Sequence, residues 1–164
     1  MHALRWFALS LLVVVLDHAT KWLASARLDY AVPLTLSPVF DLTLLHNRGA
    51  AFSFLSDAGG WQRWFFSVVA LLVSGWIASW LYRLPRNKCW LAASLALILG
   101  GAIGNLIDRV VLGYVVDFIS VHWGANYFPA FNIADSAITL GAIMMAIDVL
   151  FLDRGEDDCA DQAG

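Results

Sequence analysis

The stretch "CWLAASLALILGGAIGNLIDR", residues 89–109, runs nineteen residues from Cys89 to Ile107 without a charged side chain. That is close to the ~20 apolar residues a helix needs to cross a bilayer. Its last turn then gathers Asn105, Asp108 and Arg109. Three further windows share this character, so the expected spans are about 6–26, 62–82, 89–107 and 131–152. Composition agrees: 60% of the 164 residues are hydrophobic and 14% charged, against about 45–50% and about 25% in soluble domains. Eight tryptophans suit the two bilayer interfaces. The expected fold is a membrane all-α protein: a four-transmembrane-helix bundle with a small extracytoplasmic β-sheet and both termini cytoplasmic. Residues 1–164 form a single integral membrane unit, with an outer β-rich loop at about 30–60 and an acidic tail at 153–164.

The connections carry the rest of the topology. The start "MHALRWFALSLLVVVL" has the basic and apolar regions of a secretory signal. Asp17 and Lys21 interrupt it and no small-residue cleavage site follows, so it is read as a retained first helix. In "PVFDLTLLHNRGAAFSFL", Phe40, Leu42 and Leu44 alternate with Asp41 and Thr43. This period of two predicts a strand over 39–45, and "NRG" predicts a turn. Spans two and three are joined by the short basic "RLPRNK". The total of ten Lys and Arg divides evenly between the two sides, so orientation rests on Arg83, Arg86 and Lys88 clustering in that loop. Cys89 and Cys159 lack metal-ligand spacing and are read as free thiols on a reducing face. The net charge of −3 offers no basic excess for nucleic acid.

Spans one and three end, and span four begins, at the same membrane face. Asp17, Lys21, Asn105, Asp108, Arg109, Asn132 and Asp135 therefore lie at similar depth, at 1.5 Å rise per residue. Asp117 and "HNRGAAF" lie on that face too. Helical spacing puts Asp17 with Lys21, Asn105 with Asp108 and Arg109, and Asn132 with Asp135 and Ser136 on shared faces. Gly100, Gly101 and Gly104 offer a small-residue surface for close helix approach. Plain structural roles compete here. Asp17–Lys21 can be an i,i+4 pair serving its own helix, Asp108 and Arg109 can anchor a helix end, and the asparagines can bond backbone or orient a carboxylate.

Asp117 in "YVVDFIS" and Asp135 in "NIADSAI" have apolar flanks and no basic neighbour in sequence. Desolvation and mutual repulsion would leave such a pair sharing one proton near neutral pH. The ionised member could then deprotonate water while the protonated one polarises a peptide carbonyl. Two separately solvated interfacial acids fit the spacing as well. So do a proton pathway through the bundle, an assembly subunit with structural acids, and a Ser–Lys dyad pairing Lys21 with Ser53, Ser120 or Ser136. A proton pathway lacks a chain of polar residues across the inner half, where Asp148 lies. The histidines His2, His18, His46 and His122 form no HExxH motif, and there is no GxSxG elbow.

Four motifs then come in order on the four spans. They are "DHATK" (Asp17, Lys21), "NRGAAFS" (Asn47, Gly49, Ala50, Phe52), "GGAIGNLIDRVVLGYVVDFI" (Asn105 to Asp117) and "FPAFNIADSAI" (Asn132, Asp135). Together the motifs resemble those of the bacterial lipoprotein signal peptidases, or signal peptidase II. The resemblance implies an intramembrane aspartyl endopeptidase of the cell inner membrane, acting at the extracytoplasmic face without metal or cofactor. It would cleave diacylglyceryl-modified prolipoproteins just before the lipidated cysteine. Asp117 and Asp135 would be its catalytic dyad, with Asp17, Lys21, Asn47, Gly49, Asn105, Asp108, Arg109 and Asn132 shaping the site or holding substrate. Membrane lipids and globomycin-type cyclic peptide antibiotics are the other implied partners. With Asp117 in a connection, its segment is expected to be the less anchored one, closing on Asp135 when substrate binds.

Overall fold

The computed structural model describes residues 2–49 and 61–152. Ala50 and Phe52 of the second motif, Ser53, and the acidic tail lie outside the described residues. Four long helices overlie the four apolar windows: α1 (His2–Arg27), α2 (Trp61–Arg83), α3 (Cys89–Val111) and α4 (Ile133–Ile147), the last running into a π-helical turn over Asp148–Leu152. All four are long and apolar enough to cross a membrane. The most buried is α3, which packs against each of the other three. Cys89 opens α3, and Cys159 lies outside the described residues.

The bundle has an apolar end and a polar end. At the apolar end Ile77, Leu81, Ala92, Leu95, Ala96 and Leu99 form the buried core between α2 and α3. There the Ser10 hydroxyl donates to the Ala96 carbonyl (2.8 Å) and the Trp90 indole to the Met144 carbonyl (2.8 Å). Both donors have an acceptor, as hydrocarbon surroundings require. The α3 glycines permit the contact: a Cβ on Gly101 would collide with the Ala134 carbonyl of α4, and one on Gly100 would come 2.7 Å from the Ser10 carbonyl of α1. Gly101→Ala is expected to destabilise the bundle by about 1–3 kcal/mol through overpacking against rigid backbone. Thermal unfolding in detergent micelles measures it, and an unchanged midpoint would contradict this close packing.

A four-stranded antiparallel sheet caps the polar end in the order β1 (Leu34–Ser37), β2 (Phe40–Asn47), β3 (Val115–Trp123), β4 (Asn126–Tyr127). The expected strand at 39–45 is β2, but its faces are reversed from a soluble sheet. Asp41 and Thr43 are buried, while Phe40 and Leu42 are partly exposed. A bulge between Leu42 and Leu45 then brings Leu44 inside. Asp41 faces His122 (Nε2 3.4 Å away) and accepts from the Tyr127 hydroxyl (3.3 Å). The outer surface meanwhile carries exposed Leu34, Leu36 and Val39.

The expectation that Asp117 sits in an irregular connection is corrected: it lies within β3, opposite Leu45 of β2. Gly113, at φ +87°, ends α3 in the left-handed conformation that glycine adopts at no steric cost. Beyond it the chain turns directly into β3.

Candidate active site

Among the described residues, Asp17, Lys21, Asn47, Gly49, Asn105, Asp108, Arg109, Asp117, Asn132 and Asp135 are drawn into one hydrogen-bonded network. It begins at the start of α4, where Asn132 is the N-cap and Asp135 the third helical residue. The Asn132 side chain accepts from the Asp135 amide (2.9 Å), and the Asp135 carboxylate accepts from the Asn132 amide (3.3 Å). This reciprocal capping box satisfies two otherwise orphaned backbone donors. Asp17 of α1 accepts from a third, the Ala134 amide (2.9 Å). The shared face expected for Asn132 and Asp135 is thus a cap.

Lys21 ties the helices together. Its ammonium donates to Asp17 of its own helix (2.7 Å) and to Asp108 (2.8 Å) and Asn105 (3.0 Å) of α3. An ammonium has three protons, and all three are used here. Lys21 is 3% exposed, so these bonds lie out of water. Asp108 therefore pairs across to α1; it also accepts from the Val116 amide at the start of β3 (3.2 Å), and His18 Nε2 of α1 lies 3.7 Å from its other oxygen. A serine–lysine dyad is left without a base among the described residues: Lys21 is committed to carboxylates and an amide, and Ser136 donates to the Asn132 carbonyl (2.9 Å). Arg109 donates to the Asn105 carbonyl (3.2 Å) and lies over the Phe66 ring, 5.7 Å from its centroid.

Asp117 and Asp135 meet through the asparagines. The Asn132 amide donates to Asp117 (2.8 Å), while its backbone donates to Asp135. Asn105 donates to Asp135 from the other side (2.7 Å). Asn47 of β2 donates to the second Asp117 oxygen (3.1 Å) and accepts from the Gly49 amide (2.9 Å). Asn47 opposes Val115, so it reaches Asp117 as a diagonal cross-strand neighbour on the same face. The eighteen-residue separation of the acids is closed by backbone: Ile119 and Phe131 form an antiparallel bridge, each amide bonding the other's carbonyl (2.9 and 3.0 Å).

The electrostatics follow from this packing. Asp117 is 2% exposed. Burial first, and then the nearby Asp135 carboxylate, push its carboxyl up to about 7, against the donation from Asn47 and Asn132. A buried acid at the edge of ionisation, beside a half-buried second acid, is the arrangement that shares one proton. Among the described residues no group of three or more His, Cys, Asp or Glu is set to hold a metal ion.

One feature near the site had no counterpart in the sequence reading. His46 stacks on Tyr114 (centroids 4.0 Å apart) with Tyr30 tilted beside it (4.9 Å), bracing the end of β2 next to Asn47. Burial and Arg48 hold the His46 imidazole below its usual range. The three aromatics are far apart in sequence and no local spacing signals them.

A family model described as signal peptidase (SPase) II matches residues 9–151. The chain is similar to the lipoprotein signal peptidase of Acinetobacter baumannii, 60% identical over 153 residues that cover 93% of this chain and 87% of that one. It is similar also to the lipoprotein signal peptidase of Pseudomonas putida, 55% identical over 160 residues, covering 96% and 94%. A solved bacterial membrane enzyme, determined by the in meso method at 1.9 Å resolution, superposes with a TM-score of 0.78 at 29% identity, over 90% of this chain and 93% of that one. A second, at 2.3 Å, gives 0.79 at 29% identity, over 92% and 90%.

Proposed function

The chain belongs to the signal peptidase II family, and from that premise we propose that it is an intramembrane aspartyl endopeptidase. It removes signal peptides from prolipoproteins carrying a diacylglyceryl group on cysteine, by cleaving the peptide bond just before that residue. The observation that carries this reading is Asn132 joined to both Asp117 and Asp135. In the proposed reaction the ionised carboxylate takes a proton from a water, and the oxygen attacks the carbonyl carbon preceding the lipidated cysteine. The protonated carboxyl donates to the developing oxyanion. Collapse of the tetrahedral intermediate breaks the C–N bond, and the leaving cysteine nitrogen takes the proton. The products are a signal peptide ending in a carboxylate and a lipoprotein beginning with a free amine. That proton is the one the first carboxyl drew from water, and a hydroxyl of the intermediate returns its proton to the second carboxyl, so the dyad ends as it began, one carboxyl ionised and one protonated.

Lys21, Asp17, Asp108, Asn105, Asn132 and Asn47 position the two acids. Gly49 turns the chain beside Asn47, and Arg109, at the rim with Phe66, is placed to meet the substrate backbone. We place the multi-pass chain in the bacterial inner membrane with the site extracytoplasmic. The short basic α2–α3 connection and both termini are then cytoplasmic. A substrate confined to the bilayer by its diacylglyceryl group meets a site at the interface without leaving the lipid. Globomycin-type cyclic peptides are expected to block that entry.

Purified protein incubated with a synthetic diacylglyceryl-modified precursor tests this. The expected product bears the lipidated cysteine at its N-terminus. The unlipidated peptide is left uncut, and a chelator changes nothing. Activity lost on chelation and restored by a divalent ion would overturn the two-carboxylate mechanism, and cleavage at another bond would overturn the substrate assignment.

A further inference from the structure

Outside the aspartate network a cavity of about 310 Å³ opens between the last two turns of α1 and the sheet, within the size range of small-ligand sites. Leu23 and Ala24 line it from the helix, Leu28 from the residue just after it, Leu34, Leu42 and Phe118 from the sheet, and Arg27 is its one charged group. Arg27 ends the span Ala3–Arg27, at the depth where headgroups begin. Among the described residues its guanidinium has no carboxylate partner. The surface around the mouth is continuous with the bilayer: Trp22 is 72% and Leu23 50% exposed on α1, and Leu34 and Leu36 are exposed on β1.

We propose that this cavity binds one glycerophospholipid of the bilayer, with an acyl chain between α1 and the sheet and the headgroup phosphate on Arg27. An apolar slot with one unpaired cation at its interfacial end is complementary to that molecule: guanidinium matches the phosphate oxygens in a planar fork, and the aliphatic walls match the chain. The substrate's own lipid fits less well. Its diacylglyceryl group has no phosphate, and β3 stands between the cavity and the acids. Phe118 lines the cavity, whereas its neighbour Asp117 turns the other way to Asn47 and Asn132. The site therefore goes beyond the peptidase reading and does not depend on it.

Native mass spectrometry of the full chain released from micelles tests the proposal with three probes: dioleoylphosphatidylglycerol, dioleoylglycerol, and glycerophosphoglycerol, which lacks acyl chains. One phosphatidylglycerol per chain is expected to be retained, with the other two held at least about tenfold more weakly. Arg27→Gln, which removes the fork, and Leu42→Trp, which fills the slot, are each expected to weaken phosphatidylglycerol retention by about tenfold. Ala24→Leu fills the slot from the helix side, should Leu42→Trp lower the unfolding temperature. Dioleoylglycerol held as tightly as phosphatidylglycerol, or retention unchanged by Arg27→Gln and by the cavity-filling variant, would overturn the proposal.

Discussion

Asp117→Asn and Asp135→Asn are each expected to lower the turnover of a lipidated precursor by about 10³-fold or more, with the bundle still folded. Each removes one half of an acid–base pair, and general acid–base steps alone contribute about 10²–10⁴-fold. The effects should not add, because the two carboxyls act as one unit. Asn at 117 keeps an acceptor for the Asn132 amide and loses the bond from Asn47, so the structural cost is small beside the catalytic one. The pH dependence separates chemistry from collapse. With the Asp117 carboxyl at about 7, raising the pH through that value strips the shared proton. Both acids are then ionised and the donor to the carbonyl is gone, so turnover should fall on the alkaline side.

Stability should move the same way for a linked reason. The folded carboxyl titrates near 7 and the unfolded one near 3.8, so between those values the folded chain holds the extra proton. Stability therefore falls as pH rises from about 4 to about 7 and then levels. Asp117→Asn should flatten that slope while abolishing turnover. Full turnover in either aspartate variant would remove the dyad from the mechanism.

What the sequence discloses, and what it hides, follows from the range over which each contact acts. A bilayer span is a local property, twenty apolar residues in a row, so the four helices are legible without any tertiary knowledge. The depth of their polar ends follows from counting. Strand β3 is hidden although "VVDFISVHW" is rich in β-branched and aromatic residues and bounded by Gly113 and Gly124. Its first four residues are all buried, so no alternation marks it, and its partner Asn47 lies about seventy residues away. Burial on both sides erases the period-two signal that exposed β2. The Asn132–Asp135 spacing was legible, but a distance of three serves a helix face and a capping box equally. Only the backbone conformation of Asn132, extended at ψ −173°, separates the two. The expected looseness of Asp117 came from counting it as a loop residue. In the sheet its segment is held by the Asp108 contact at Val116 and by the Phe131 bridge at Ile119.

Lys21→Met is expected to destabilise the protein by about 3–5 kcal/mol, the cost of leaving buried carboxylates without their partner. The size of the effect decides between two readings of one spacing. An i,i+4 pair serving its own helix contributes about 0.3–0.5 kcal/mol, and its loss would scarcely move the unfolding midpoint. Here the same ammonium also joins α1 to α3 through Asp108 and Asn105, and methionine of similar length leaves Asp17 and Asp108 facing each other unpaired. Each anion also has a further task. Asp17 caps Ala134, one residue before Asp135, and Asp108 holds Val116, one residue before Asp117. Losing Lys21 should therefore loosen both acids of the dyad at once, so turnover falls along with stability. Asp108→Asn in the Lys21→Met background removes one unpaired charge and should recover part of the stability. Val116 keeps an acceptor in that double variant, so some turnover should return with it. A Lys21→Met midpoint within experimental error of the parent's would show that the pair serves α1 alone.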